Sequence, residues 1–193
     1  SMEKFEMTNG RKVTINIVAA NVFSIILLIA SAIIFTVPFY LIWNEQAFRD
    51  GQVNHLWFFP SFLAGIVAHE LLHGIGWSLY AKNGWKSISF GVMWKMLTPY
   101  CHCNEPLGKR PYMIGALMPL VVLGIIPAIV SLLIGNVVLL VWGIMFIAAA
   151  AGDIWMAWLL HKEDSESTIL DHPNEAGFYV FPKEDINTPT KKE

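Results

Sequence analysis

The chain has 193 residues, of which 55% are hydrophobic and only 15% are charged, and its formal net charge at pH 7 is -2. Soluble domains usually carry about 25% charged residues, so this chain lacks the polar surface of an ordinary globular protein. The slightly acidic balance excludes a basic nucleic-acid-binding domain, and the two cysteines are too few for a disulfide-rich scaffold. The composition therefore predicts an integral membrane protein that contacts membrane lipids and no nucleic acid.

Long uncharged segments predict where the chain crosses the membrane. Residues 13–44 and residues 111–152 contain no Asp, Glu, Lys or Arg, and a membrane-spanning helix needs about 20 mostly apolar residues. The first run is too long for the core of a cleaved signal peptide, which has roughly 7–15 residues. The second run is long enough for two spans, and Gly135-Asn136 is the natural break between them. A further apolar run begins after residue 55. We predict spans at 15–43, 56–81, 112–134 and 137–160, a four-span membrane domain at 1–161 and a polar cytoplasmic tail at 162–193.

Basic residues predict the orientation of these spans. In a four-span topology, every Lys and Arg except Arg49 falls on one side of the membrane. Because basic residues concentrate on the cytoplasmic side, both termini are predicted to be cytoplasmic, and the expected location is the plasma membrane. The residues on that side are Lys4, Arg11, Lys12, Lys82, Lys86, Lys95, Lys109, Arg110, Lys162, Lys183, Lys191 and Lys192.

The segment between the second and third predicted spans has the pattern of strands. Residues 85–92 alternate roughly between polar and apolar side chains and are rich in aromatic and β-branched residues, and a second short run covers residues 100–103. These runs predict a hairpin against the membrane, and the aromatic patch at 178–181 predicts another strand in the tail. The predicted fold class is mainly α, a four-helix transmembrane bundle with short cytoplasmic β-strands.

The second predicted span contains the pattern H-E-x-x-H, at His69-Glu70-Leu71-Leu72-His73. Residues four apart project from the same face of a helix, so the two imidazoles can bind one metal ion. Glu70 can then act as general base on a water that the metal activates, and zinc is the metal that best fits such ligands. An ionisable side chain inside a span costs at least about 2.5–3.5 kcal/mol, which favours a functional site over a polar cluster that merely holds helices together.

A catalytic zinc site needs a third protein ligand, because such sites use three and leave the fourth position to water. Asp153 is the only other charged residue inside a predicted span, and it follows the small residues at 148–152. Counted at about 1.5 Å per residue, Asp153 and His73 both lie roughly 10–12 Å from the cytoplasmic ends of their helices. We predict His69, His73 and Asp153 as the metal ligands, the alternative for Asp153 being a helix-capping or water-facing carboxylate.

Five segments of the chain resemble the DUF3267 family of membrane zincin peptidases: 69–74, 100–107, 151–153, 171–173 and 177–180. The order of the elements is also similar to the core of the site-2 proteases. The resemblance implies a zinc peptidase in which His69, His73 and Asp153 hold the metal and Glu70 is the base. Site-2 proteases carry this aspartate in a Leu-Asp-Gly motif after Asn and Pro, whereas Asp153 lies between Gly152 and Ile154.

Potential ligands also occur in the loop after the second span, at Cys101-His102-Cys103. The candidate roles are a second metal site or, for His102, a contact with the substrate or its oxyanion, since the family pattern includes this histidine. The alternative is a strand with two reduced thiols, as expected in a reducing compartment. Glu105, in a Glu-Pro turn, is predicted to be structural.

The predicted function is an integral membrane zinc metallopeptidase that hydrolyses a peptide or membrane-protein substrate in or near the membrane. Two alternatives stay open, namely a catalytically silent membrane scaffold with a structural metal site and a zinc hydrolase of lipids or small amides. Glu70 argues against the scaffold, because a structural zinc site needs no base. The residue pattern suits peptide and lipid substrates alike and leaves the oligomeric state open.

Overall fold

The structure, a computed structural model, describes residues 10–94, 98–173 and 175–183. Most of these residues are helical, and the strands form two small antiparallel sheets. The helices are α1 (Ile17–Asp50), α2 (His55–Ser78), α3 (Lys109–Pro119), α4 (Ile126–Ile134), α5 (Val137–Ala149) and α6 (Ala151–His161), with a π-helical segment, Leu120–Ile125, between α3 and α4. The strands are β1 (Arg11–Thr14), β2 (Ile88–Met93), β3 (Thr98–Cys103), β4 (Leu107–Gly108), β5 (Thr168–Asp171) and β6 (Gly177–Phe181).

Three helical segments of the described chain are long and apolar enough to cross a membrane: α1, α2 and the continuous segment from α3 to α4. Helices α5 and α6 make a fourth only if the two count as one span, because they are bent by 49° at Ala150. The sequence predicted one span over residues 137–160, and the structure places a bend within it. Alanine favours helix and no proline interrupts the run at 148–151, so Gly152, inside α6, is the nearest residue that weakens a helix.

Helix α1 is interrupted near its end at Asn44, whose φ of 60° lies in the left-handed region. Asparagine occurs at positive φ more often than most residues, and the predicted first span stops one residue earlier. Beyond the break the chain turns back, and Ala47 and Phe48 pack against the cluster of Phe39 and Val137. The break therefore sets the end of the long helix and closes one end of the bundle.

The larger sheet joins strands from distant parts of the chain in the order β1-β6-β5-β4. Strand β1 precedes α1, β4 precedes α3, and β5 and β6 follow α6, so this sheet lies at one end of the helices. Ile169 and Phe178 are fully buried in a core shared with Tyr112 and Leu160. The predicted strand at 178–181 is confirmed as part of β6.

The predicted tail is described as far as residue 183, and its strands pack into the core of the protein. The proposed boundary between residues 161 and 162 stays a prediction. Four of the basic residues used to predict the orientation, Lys4, Lys95, Lys191 and Lys192, lie outside the described residues.

The predicted hairpin between α2 and α3 is confirmed. Strands β2 and β3 pair antiparallel, from Ile88 opposite Cys103 to Met93 opposite Thr98. The hairpin packs against α2 at Gly74, where an added Cβ would lie 2.8 Å from the Phe90 ring. This contact places β3 beside the helix that carries the H-E-x-x-H motif.

Candidate metal centre

His69 and His73 lie on one face of α2 and are 8% and 5% exposed. Asp153 lies in the first turn of α6, immediately after the bend, and its carboxylate reaches both imidazoles. The distance from Nε2 of His69 to Oδ2 of Asp153 is 3.1 Å, and that from Nε2 of His73 to Oδ1 is 3.3 Å. The structure thus brings together the three residues that the sequence predicted as metal ligands.

The geometry and chemistry of this cluster fit zinc. Donor atoms about 2.0–2.2 Å from a tetrahedral zinc ion lie about 3.4 Å from one another. One potential ligand atom from each of His69, His73 and Asp153 lies within 4.8 Å of the other two. Two imidazole nitrogens and one carboxylate oxygen are a typical catalytic set with a fourth position left for water or substrate. Across the described ranges, this is the one group of three or more His, Cys, Asp or Glu side chains close enough to share a metal.

A backbone carbonyl orients one of these ligands. Nδ1 of His73 lies 3.0 Å from the carbonyl oxygen of Gly115 in α3. A carbonyl only accepts hydrogen bonds, so Nδ1 carries a proton, and Nε2 would be the unprotonated ligand atom once a metal is bound. The helices approach closely enough for this bond because a Cβ added to Gly76 would lie 2.6 Å from Cα of Gly115.

Glu70 shares a cavity of about 430 Å³ with the three candidate ligands. Its carboxylate faces the backbone N–H of Cys101 in β3. Residues from α2, β3, the bend before α6 and the turn between β5 and β6 form the walls of this cavity. The predicted base therefore lies where a bound substrate and water would meet the metal ligands.

Aromatic rings connect the metal centre to the core. The rings of His73 and Trp77 stack with centroids 5.3 Å apart, and those of Trp77 and Tyr112 stack at the same distance. The indole Nε1–H of Trp77 donates to the carbonyl oxygen of Tyr112 at 3.0 Å. This packing fixes the position of the His73 ring.

His102 lines the same cavity, but it is held by a residue to which the sequence assigned no role. Nδ1 of His102 lies 3.0 Å from Oδ2 of Asp171 in β5, and the Tyr112 hydroxyl donates to Oδ1 at 2.8 Å. Asp171 lies in a segment that resembles the family, and this was the only sequence signal for it. Its partners are 59 and 69 positions away, so their contact was not predictable from spacing.

The two cysteines show no sign of a second metal site within the described residues. Their side chains alternate with that of His102 along β3, and Cys103 belongs to the buried core. Burial raises the pKa of the Cys103 thiol to about 11 and also raises that of Cys101. Both therefore remain protonated thiols at neutral pH, as in the alternative that the sequence left open.

Glu105 has the structural role that was predicted. Its carboxylate accepts hydrogen bonds from the backbone N–H groups of Lys82, at 2.7 Å, and Asn83, at 3.2 Å. These bonds tie the start of the hairpin segment to its end.

Comparison with known proteins identifies the family of the chain. The model of the DUF3267 family, described as "Putative zincin peptidase", matches residues 62–168, which is more than half of the chain. The matched region contains all three candidate ligands, Glu70 and His102, and it ends before Asp171. Neither the search of curated proteins nor that of solved structures gave a significant match. The extent of the family match shows that the chain belongs to the DUF3267 family.

Proposed function

We propose that this protein is an integral membrane zinc metallopeptidase that cleaves peptide bonds in or near the membrane. The observation that carries the proposal is the buried cluster of His69, His73 and Asp153 with Glu70 beside it in one cavity. The order of these elements along the chain, which is similar to that of the site-2 protease core, is a further support.

The helices have the surface of a membrane protein. Large apolar side chains on α1 point away from the protein, and Val18 and Leu41 are each more than 70% exposed. Soluble monomers rarely expose apolar patches of more than a few hundred Å², whereas lipid solvates such a surface. We therefore place α1, α2, the α3–α4 segment and the bent α5–α6 pair within the bilayer.

The basic residues favour an active site that faces the cytoplasm. Both sheets lie at the end of the helices that carries Arg11, Lys86 and Lys162, whereas Arg49 lies at the other end. The positive-inside rule assigns the end with the sheets, and with it the cavity mouth, to the cytoplasm. Both termini and the hairpin are then cytoplasmic.

The chain's own residues supply acid–base chemistry around the metal. Zinc bound by His69, His73 and Asp153 would act as a Lewis acid that polarises a carbonyl and lowers the pKa of water. Glu70 accepts a proton from the attacking water and passes it to the nitrogen of the leaving amine. Trp77 and the bundle behind His73 keep bulk water away from one side of the site.

Strand β3 offers an edge to an extended substrate. Asn104 donates to the carbonyl oxygen of Ser87, so hydrogen-bonded pairs alternate along the β2–β3 ladder. In that register the backbone groups of Cys101 point away from β2 and toward the cavity. An unwound peptide segment near the inner membrane surface can hydrogen-bond to the outward carbonyl oxygen of Cys101 at this edge, while the N–H of Cys101 faces Glu70.

The Glu70→Gln variant tests the proposal, because glutamine keeps the size of the side chain but cannot accept the proton. We expect the purified variant to retain zinc and to cleave fluorescent casein, or a single-span peptide with an unwound end, at least ~10²-fold more slowly than wild type. Glu166→Gln, which changes an exposed acid outside the cavity, serves as the matched control. Equal turnover in wild type and Glu70→Gln contradicts the mechanism.

The same preparations separate the alternatives. A zinc-loaded wild type that releases fatty acid from phospholipid vesicles but leaves both peptide substrates intact would favour the lipid hydrolase. Zinc retention without turnover of any of these substrates would favour the silent scaffold.

A further inference from the structure

A buried carboxylate on the cavity wall takes no part in the proposed metal chemistry. Asp171 is 8% exposed and faces three hydrogen-bond donors. Two are side chains, the Tyr112 hydroxyl at 2.8 Å and Nδ1 of His102 at 3.0 Å, and the third is the backbone N–H of Cys103 at 3.4 Å. Hydrogen bonds from three donors offset the free-energy cost of burying this carboxylate.

This arrangement fixes the tautomer of His102. An ionised carboxylate only accepts hydrogen bonds, so Nδ1 carries the proton and Nε2 of the neutral ring is an acceptor. In the described part of the chain Nε2 of His102 has no hydrogen-bond partner. The ring and Asp171 line the cavity that holds Glu70, so the free acceptor belongs to the substrate side of the site.

The network is anchored rigidly to the metal centre. Tyr112 is 1% exposed and stacks on Trp77, which in turn stacks on the candidate ligand His73. A continuous set of packed side chains therefore leads from one metal ligand to Asp171, and His102 is held at the end of it. Such a network sets the position of Nε2 of His102 relative to the candidate metal site.

Attachment of the tail does not account for the carboxylate. Ile169 and Phe178, which flank Asp171 in the sheet, are fully buried and already hold β5 and β6 against the core. Buried ionic pairs contribute little net stability compared with apolar side chains of similar volume. A role in positioning His102 explains why an acidic residue occupies position 171.

We propose that Asp171 and Tyr112 are positioning residues for His102, and that Nε2 of His102 accepts a hydrogen bond from a backbone N–H of the peptide in the cavity. The substrate part of this inference rests on the proposed peptidase function. It adds Asp171 of β5, which lies beyond the family-matched residues 62–168, to the active site.

Nitrogen NMR of the imidazole rings tests the positioning without any substrate. In histidine-labelled protein in detergent, with signals identified through His102→Gln, we expect the wild-type ring to carry its proton on Nδ1. Asp171→Ala should lose that preference, and Glu166→Ala, a change of an exposed acid in the same tail, should not. A wild-type proton on Nε2, or an unchanged spectrum in Asp171→Ala, overturns the proposal.

Kinetics on casein test the contact with the peptide. His102→Ala and Asp171→Ala should each raise KM about 10-fold, the scale of one hydrogen bond, with smaller changes in kcat and unchanged zinc content. Asp171→Ala should add nothing in the His102→Ala background, because the two residues act through one interaction. Additive effects would show that Asp171 acts elsewhere and would overturn the proposal.

Asp171→Asn and Tyr112→Phe, which keep the shapes of the side chains, replace Asp171→Ala if that variant does not fold. Tyr112→Phe should shift the His102 signals less than Asp171→Ala and raise KM by a smaller factor. An absence of cleavage by wild type contradicts the peptidase proposal, and the NMR result then decides the positioning of His102 alone.

Discussion

Nδ1 of His73 lies 3.0 Å from the carbonyl oxygen of Gly115, and this hydrogen bond joins a candidate zinc ligand on α2 to the backbone of α3. The contact needs the absence of a side chain at Gly115, where an added Cβ would lie 2.1 Å from Cδ1 of Trp77. One glycine therefore permits both the helix approach and the orientation of the ligand.

Gly115→Ala should weaken zinc binding although it removes no ligand. The new methyl group displaces Trp77, which stacks on His73, and losses of such outer contacts typically cost 10–100-fold in metal affinity. Competition with a fluorescent zinc chelator measures the change. Gly108→Ala, which would only touch Pro111 at 3.5 Å, is the control at the residue that precedes the same helix and should bind zinc as wild type does.

Removal of any one of the three candidate ligands should lower the zinc content. Wild type should purify with about one zinc per chain, and His69→Ala, His73→Ala and Asp153→Ala should each fall well below that value, because each ligand contributes to the binding free energy. Elemental analysis gives the occupancy, with the exposed His161→Ala as control. Full occupancy in Asp153→Ala would remove that residue from the ligand set.

Loss of a buried ring in the tail should destabilise the whole protein. Phe178 is fully buried against Tyr112, with ring centroids 5.9 Å apart, and a Phe→Ala change in a core typically costs about 3–5 kcal/mol. We expect a lower midpoint of thermal unfolding in detergent for Phe178→Ala. Lys183→Ala, at an exposed ion pair of the same tail, should unfold like wild type. Equal midpoints for the two variants would show that the tail folds apart from the bundle.

Cysteine labelling in intact cells should report the orientation of the bundle. Lys86→Cys, near the hairpin, should react only with reagent supplied from the cytoplasm, and Gln52→Cys, beyond α1, only with reagent outside. The native thiols give little background, because burial raises the pKa of Cys103 to about 11 and also raises that of Cys101. Labelling of Lys86→Cys from outside would invert the topology and leave the metal site unaffected.

The sequence alone was enough for features that depend on local composition and periodicity. The apolar helices follow from uncharged runs, and the shared face of His69 and His73 follows from their spacing of four on a helix. The hairpin follows from alternating residues in β2 and β3. Asp153 could be singled out because a charged residue within an apolar helix is rare.

Tertiary structure alone decided which distant groups meet. The last helical pair bends at Ala150, and the nearby Gly152 does not by itself indicate the size or direction of the bend, so the orientation of Asp153 toward α2 has no local signature. The pairing of β1 with β6 and the bond from His102 to Asp171 join segments that are far apart in the chain. Such contacts form because the folded core buries apolar side chains such as Phe178. The core must also provide hydrogen-bond partners for the polar groups that it encloses. The outcome depends on the whole fold and cannot be read from a short stretch of sequence.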